Sequence, residues 1–152
     1  MSDLAIRNAT TDDLPFIVGL IAHDTVLDRI DDPADAHGPD YLAAFEAIAA
    51  DPNQLLLIAE FDAAAVGTFQ LTFTPGIFRR GGWRCTIEGV HVSPDHRNRR
   101  IGEKMMAWAV QKAKERGCTM VQLTSNKKRA DAHRFYERLG FSRSHEGFKL
   151  YI

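Results

Sequence analysis

From Gln54 onward the apolar residues of this chain change their spacing, and that change limits the folds open to it more than any other feature. Leu55, Leu56, Leu57, Ile58 and Ala59 form one apolar run and residues 66–73 a second. The short connection around Asp62 makes the two an antiparallel hairpin. A third strand is read over residues 83–92, ending at Ser93 and Pro94. The period then switches to that of a helix over residues 100–116, where Met105, Met106, Ala109, Val110 and Ala113 make one stripe and Gly117 supplies the C-terminal cap.

The flanking segments complete a mixed-sheet α/β layout. Ala5, Ile6 and Arg7 read as a short strand. Thr10 with Asp13 three residues on resembles a capping box, opening a helix through about His23 with Leu14, Ile17, Val18 and Ile21 on one face. Residues 31–39 are rich in Asp and Pro and read as a loop, followed by a helix over 41–50 carrying Leu42, Phe45 and Ile48. Residues 74–82 form another loop. After the long helix come a short buried strand over 120–124, a helix over 130–139 stopped by Gly140, and a final strand pair from Phe141 to Ile152.

At 152 residues the chain is a single domain, 1–152, with a core of ordinary size. Apolar residues are 45% and charged residues 26%, which excludes a disordered chain. A formal net charge of −1 gives no reason to expect nucleic acid or an anionic membrane as partner. The N-terminal residues carry no signal-like charge and apolar run, and no stretch reaches the length of a membrane span, so a cytoplasmic protein is expected. Cys85 and Cys118 sit in no metal or redox spacing and are read as small hydrophobes.

The segment richest in chemistry runs from Val90, His91 and Val92 through Arg97, Asn98, Arg99 and Arg100 to Ile101, Gly102 and Glu103: a strand, a basic loop and a helix start. A helix N-terminus offers unpaired N–H groups and the positive end of a dipole, both suited to a pyrophosphate. The arginines add charge, and Gly102 allows close approach. A solvated basic turn is the plain alternative.

This segment resembles the acetyl-CoA-binding motif of the GNAT family of N-acetyltransferases, Gln/Arg-x-x-Gly-x-Gly/Ala, with Arg97, Ile101 and Gly102 in register and Arg100 standing where the first glycine falls. The resemblance extends from Ile6 and Arg7 to the segment Asp131, Ala132, His133, Arg134, Phe135, Tyr136. It implies the GNAT fold, a central mixed and mostly antiparallel sheet of six to seven strands flanked by about four helices. It implies acetyl-CoA as co-substrate, with the pantetheine arm paired to the backbone at Val90 and Val92 between two splayed strands. Asn126 looks like the family's cofactor-side asparagine; on its own it equally caps a turn.

Transfer to an amine requires a neutral nucleophile, and a primary amine is mostly protonated at pH 7. Glu88 interrupts the apolar strand and by alternation shares a face with Val90 and Val92, so a partly buried Glu88 with raised pKa is the candidate base. A strand glutamate paired with an arginine such as Arg84 is the alternative. By resemblance Tyr136 is the acid that protonates the departing thiolate. Backbone N–H groups near Val90 and Val92 would hold the developing oxyanion, and a covalent cysteine route has little support.

Residues 125–136 with Ser144 and His145 resemble the aminoalkylphosphonate N-acetyltransferase branch. That points to an anionic small-molecule amine, for which Lys127, Lys128, Arg129, Arg79 and Arg80 are cationic candidates, with the 3′-phosphate of CoA and plain solvation as the competing uses of these side chains. Asp28, Asp31, Asp32 and Asp35 would instead suit a cationic acceptor. Members of that branch can use a divalent metal, and His91, His96, His133 and His145 are its candidate ligands, although their spacing fits no compact motif. A protein N-acetyltransferase and a non-catalytic CoA-binding regulatory module are the competing readings. The apolar ending Phe148, Leu150, Tyr151 and Ile152 serves either a homodimer or the monomer core.

Overall fold

A computed structural model describes residues 3–24 and 30–152. Five strands form one sheet in the order β1-β2-β3-β4-β5: β1 (Ala5–Asn8), β2 (Gln54–Phe61), β3 (Ala64–Thr74), β4 (Trp83–Val92) and β5 (Cys118–Leu123). The first four are mutually antiparallel. β4 and β5 run parallel, because the chain between them returns through a helix. The helices are α1 (Leu14–Ala22), α2 (Pro39–Ala50), α4 (Ile101–Glu115) and α5 (Ala130–Arg138), and α3 (Phe78–Gly81) is a single turn whose Arg79 and Arg80 are left-handed, with φ of 54° and 60°.

The hairpin of β2 and β3 closes through Asp62 and Ala63, with φ of 53° and 62°. Two left-handed residues give the turn whose twist matches that of paired strands. α4 covers one face of the sheet. There Leu57, Phe69, Leu71, Cys85 and Ile87 meet Ile101, Met105, Met106 and Ala109, and Phe69 lies edge-on to Trp108 at 6.0 Å. On α1, Leu14 and Val18 form a second cluster with Ala36, joined by Tyr41, Leu42 and Phe45.

The start of α1 is fixed by charge. Arg7 grips both carboxylate oxygens of Asp13 at 2.7 and 2.8 Å and donates from Nε to Glu60 at 2.6 Å, tying β1, β2 and the helix start together. The Thr10 N–H donates to Asp13 at 2.7 Å, as the capping-box reading expects.

Two expectations are corrected. β5 is an edge strand with Met120 37% exposed, not a buried one. The final strand pair does not form: residues 142–152 carry neither helix nor strand, so the described sheet has five strands instead of six to seven. Phe148, Leu150 and Ile152 alternate as a strand would. They stand 95%, 89% and 116% exposed, which removes the reading that they fill the monomer core.

Candidate active site

Hydrogen bonding between β4 and β5 stops at the pair Ile87 and Leu123, while β4 continues to Val92. Glu88 to Val92 therefore border a gap facing the segment after β5. In that segment Ser125 carries a buried hydroxyl with no protein partner among the described residues. Val90, Val92 and Leu123 on the α4 side of the gap join the same apolar cluster as Phe135, Tyr136 and Phe141.

The backbone of β4 is irregular at this point. Glu88 pairs with Gln70 and His91 with Thr68, so Gly89 and Val90 together oppose Phe69. Gly89 has φ of +60°, the left-handed conformation of a glycine-type bulge. The extra residue inverts the alternation: Val90 and Val92 stay with Cys85 and Ile87 on the α4 face, and Glu88 and His91 share the opposite face, towards α1. The expectation that Glu88 lies on the face of Val90 and Val92 is thus overturned. Glu88 is also exposed, so the burial expected for it is not there, and it makes no ion pair with Arg84 or any other described residue.

The basic loop keeps the form its sequence suggests. Asn98 and Arg100 have φ of 62° and 59°, and Arg100 is the residue that precedes α4. Arg100 thus takes the left-handed conformation a glycine would adopt at the same place in the motif. Among the described residues none of the backbone N–H groups from Arg97 to Glu103 reaches a protein acceptor. The side chains of Arg97, Asn98, Arg99 and Arg100 are exposed, and Arg100 pairs with Glu103 at 2.8 Å. A Cβ on Gly102 would lie 3.5 Å from Phe135 and 3.9 Å from Val92, so α5, the loop helix and the end of β4 meet there.

Tyr136 is half-buried, with its ring 5.2 Å from Phe135 and 6.0 Å from Phe141. Burial pushes its phenol above the ordinary 10.0 and Arg129 pulls the other way, so the hydroxyl holds its proton at neutral pH. Asn126 caps the turn before α5: its Oδ1 accepts from the Lys128 N–H at 3.0 Å, and its carbonyl accepts from Arg129 at 3.0 Å. The capping role is the one its side-chain oxygen fills here.

Sequence reasoning missed a cluster on the α1 side of β4. Arg129 donates to Asp24 at 2.7 Å, and the same carboxylate oxygen lies 3.8 Å from His91 Nδ1. Asp24 and Arg129 are 105 residues apart, a separation at which local pattern carries no information. Gly89 was the available signal, since a glycine inside a strand marks a bulge.

Other candidates fall away from this place. Arg79 and Arg80 sit before β4, about a strand length of 30 Å from the loop that follows it. Cys85 is fully buried and its thiol is pushed up to about 12, which leaves no thiolate for covalent chemistry. Among the described residues no three His, Cys, Asp or Glu side chains gather as a metal site, and His133 bonds the Asn126 carbonyl at 2.9 Å. Asp31 accepts the Tyr41 hydroxyl at 2.7 Å and Asp32 caps the Ala34 N–H at 2.9 Å, while Asp28 lies outside the described residues.

A sheet that parts between two parallel strands, with an unfilled row of N–H groups at the head of its long helix, suits a ligand that carries a phosphate or other anion. Residues 22–141 match the acetyltransferase (GNAT) family, and the chain belongs to that family. It is accordingly an N-acetyltransferase, for which acetyl-CoA supplies the acetyl group and an amine receives it. The aminoalkylphosphonate N-acetyltransferase of Salmonella typhimurium is 32% identical over 143 residues, covering 94% of this chain and 88% of that protein. A crystal structure of a transcriptional regulator from Bacillus halodurans C-125 has a TM-score of 0.94 at 41% identity, covering 99% of this chain and 100% of the other. Glucosamine-6-phosphate N-acetyltransferase from Arabidopsis thaliana shares the fold, with a TM-score of 0.74 at 18% identity and 98% of each chain covered.

Proposed function

We propose that this N-acetyltransferase acetylates the primary amine of a small, anionic molecule by direct attack on acetyl-CoA. The observation that carries the reading is the unpartnered row of N–H groups from Arg97 to Glu103, set beside the gap between β4 and β5. The pyrophosphate takes the N–H row, and the pantetheine arm follows Val90 and Val92 into the gap. Asn126 keeps its amide nitrogen for the cofactor side. The amine attacks the thioester carbonyl and gives up its proton on the Glu88 side of β4, to Glu88 directly or through water. Tyr136, on the other side of the gap, returns a proton to the thiolate.

Support for an anionic acceptor comes from the aminoalkylphosphonate relative and from the exposed Lys127 and Lys128 at the head of α5. Asp31 and Asp32 are already engaged in local structure, which weakens the cationic alternative. A panel of aminoalkylphosphonates, aminoglycosides, polyamines and a lysine peptide, read by free-thiol release, tests the choice. The phosphonates are expected to turn over fastest, and faster release with the peptide would overturn the small-molecule reading. Tyr136→Phe is expected to lower kcat about 100-fold while acetyl-CoA affinity stays unchanged.

The likeness to a Bacillus halodurans protein described as a transcriptional regulator favours a second reading, a CoA-binding module without turnover. Binding of acetyl-CoA with no thiol release from any acceptor would select it. The exposed tail further supports a homodimer: Phe148, Leu150 and Ile152 are open to solvent, and β5 has a free outer edge among the described residues.

A further inference from the structure

We propose that His91 is the immediate proton acceptor for the attacking amine, with Asp24 and Arg129 as its positioning residues. This rests on the transferase reading above and refines one step of it: His91 takes the proton first, in place of direct transfer to Glu88, and Glu88 lies on the proton's way out to solvent. Three observations converge on His91. The bulge at Gly89 turns its side chain to the same face as Glu88 and places it in the stretch of β4 that borders the gap. Its side chain is 16% exposed, whereas Glu88 is open to solvent, so a proton delivered to His91 is sheltered from bulk water at the moment of transfer. The ring directs Nδ1 at the Asp24 carboxylate 3.8 Å away, and Nε2 has no protein partner among the described residues.

Asp24 is in turn held by Arg129 at 2.7 Å, with the two side chains 9% and 29% exposed. The charged groups that face His91 are Asp24 from the end of α1, Arg129 from the head of α5 and Arg97 from the loop, with Glu88 on the same strand face. Burial is the largest influence and pushes the imidazole below its ordinary 6.5. Asp24 opposes that shift, and Arg129 and Arg97 add to it. A neutral ring at pH 7 is the form a base requires. Arg129 also acts on Tyr136, favouring its ionised form, so one guanidinium biases both sides of the gap.

The step balances without a further reactant. The amine nitrogen bonds to the thioester carbon and its proton passes to His91 Nε2. The C–S bond breaks, and the thiolate takes the Tyr136 proton. His91 releases its proton to solvent past Glu88, and Tyr136 recovers one.

The test is the pH profile of kcat/KM with the fastest acceptor of the panel, for wild type, His91→Gln, Asp24→Asn and Glu88→Gln, alongside acetyl-CoA affinity by calorimetry. Wild-type activity should fall on the acid side through a group below 6.5. His91→Gln should abolish that limb and lower kcat about 100-fold or more, with acetyl-CoA affinity kept within threefold. Asp24→Asn should move the limb to lower pH, because the carboxylate is what raises the imidazole. His91→Gln with kcat within threefold of wild type and an unchanged limb would overturn the proposal. Should that variant fail to fold, NMR titration of the wild-type His91 ring decides: a value above 6.5 overturns the role and a lower one supports it. A wild type that neither binds acetyl-CoA nor releases thiol defeats the transferase reading itself, an outcome separate from any behaviour of His91.

Discussion

At the scale of single residues, one backbone device shapes the candidate site and one charge device fixes the start of α1. The basic loop was legible because its chemistry is local: Arg97 to Glu103 lie together in the chain, and the left-handed Arg100 stands where the motif has glycine. A left-handed non-glycine residue is strained. Arg100→Gly should therefore raise Tm by roughly 2 °C in a thermal melt. Asp13 illustrates the second device. Hydrogen bonds from Arg7 hold its carboxyl below the ordinary 3.8. The unfolded chain thus binds that proton more tightly, and the stabilisation is present above the ordinary value and drains away as pH falls through the lowered one. Arg7→Leu should cost about 2 kcal/mol by denaturant titration, and stability should then fall less steeply below pH 4. That is less than the 3–5 kcal/mol typical of a fully buried pair, because Arg7 is 37% open to solvent.

Elements were largely readable where their apolar period was long and uninterrupted. β2, β3, β4 and α4 follow the expected spans within a few residues, and Gly117 and Gly140 adopt φ of 75° and 93° where helices were expected to end. The interior of β4 was not readable by alternation. Period-two reasoning assigns faces correctly only while the ladder is regular, and one added residue reverses every face beyond it. That is why alternation puts Glu88 with Val90 and Val92 and does not put His91 on the face of Glu88. Gly89→Ala tests the bulge. A Cβ there meets nothing within 4 Å, so any effect comes from the φ of +60° and not from collision. The variant should lose about 1 kcal/mol in denaturant titration. It should lose proportionately more activity than stability, as Glu88 and His91 are re-aimed; equal losses would mean the bulge serves only the fold.

For the whole molecule, the acetyltransferase fold was recoverable because order and type of elements survive small local errors. The Asp24–Arg129 contact and the fate of the tail were not, since neither is set by residues near in sequence. An apolar alternation such as Phe148, Leu150 and Ile152 specifies that something covers it without saying what. Truncation after Ser142 should leave a folded protein with nearly unchanged Tm and convert a dimer to a monomer by light scattering; a monomeric full-length chain contradicts the pairing. If the row of N–H groups and the split sheet beside it hold acetyl-CoA, calorimetric titration of acetyl-CoA into the intact chain will show it. One molecule bound per chain with micromolar affinity is the predicted result, and no heat of binding at millimolar acetyl-CoA would contradict the account.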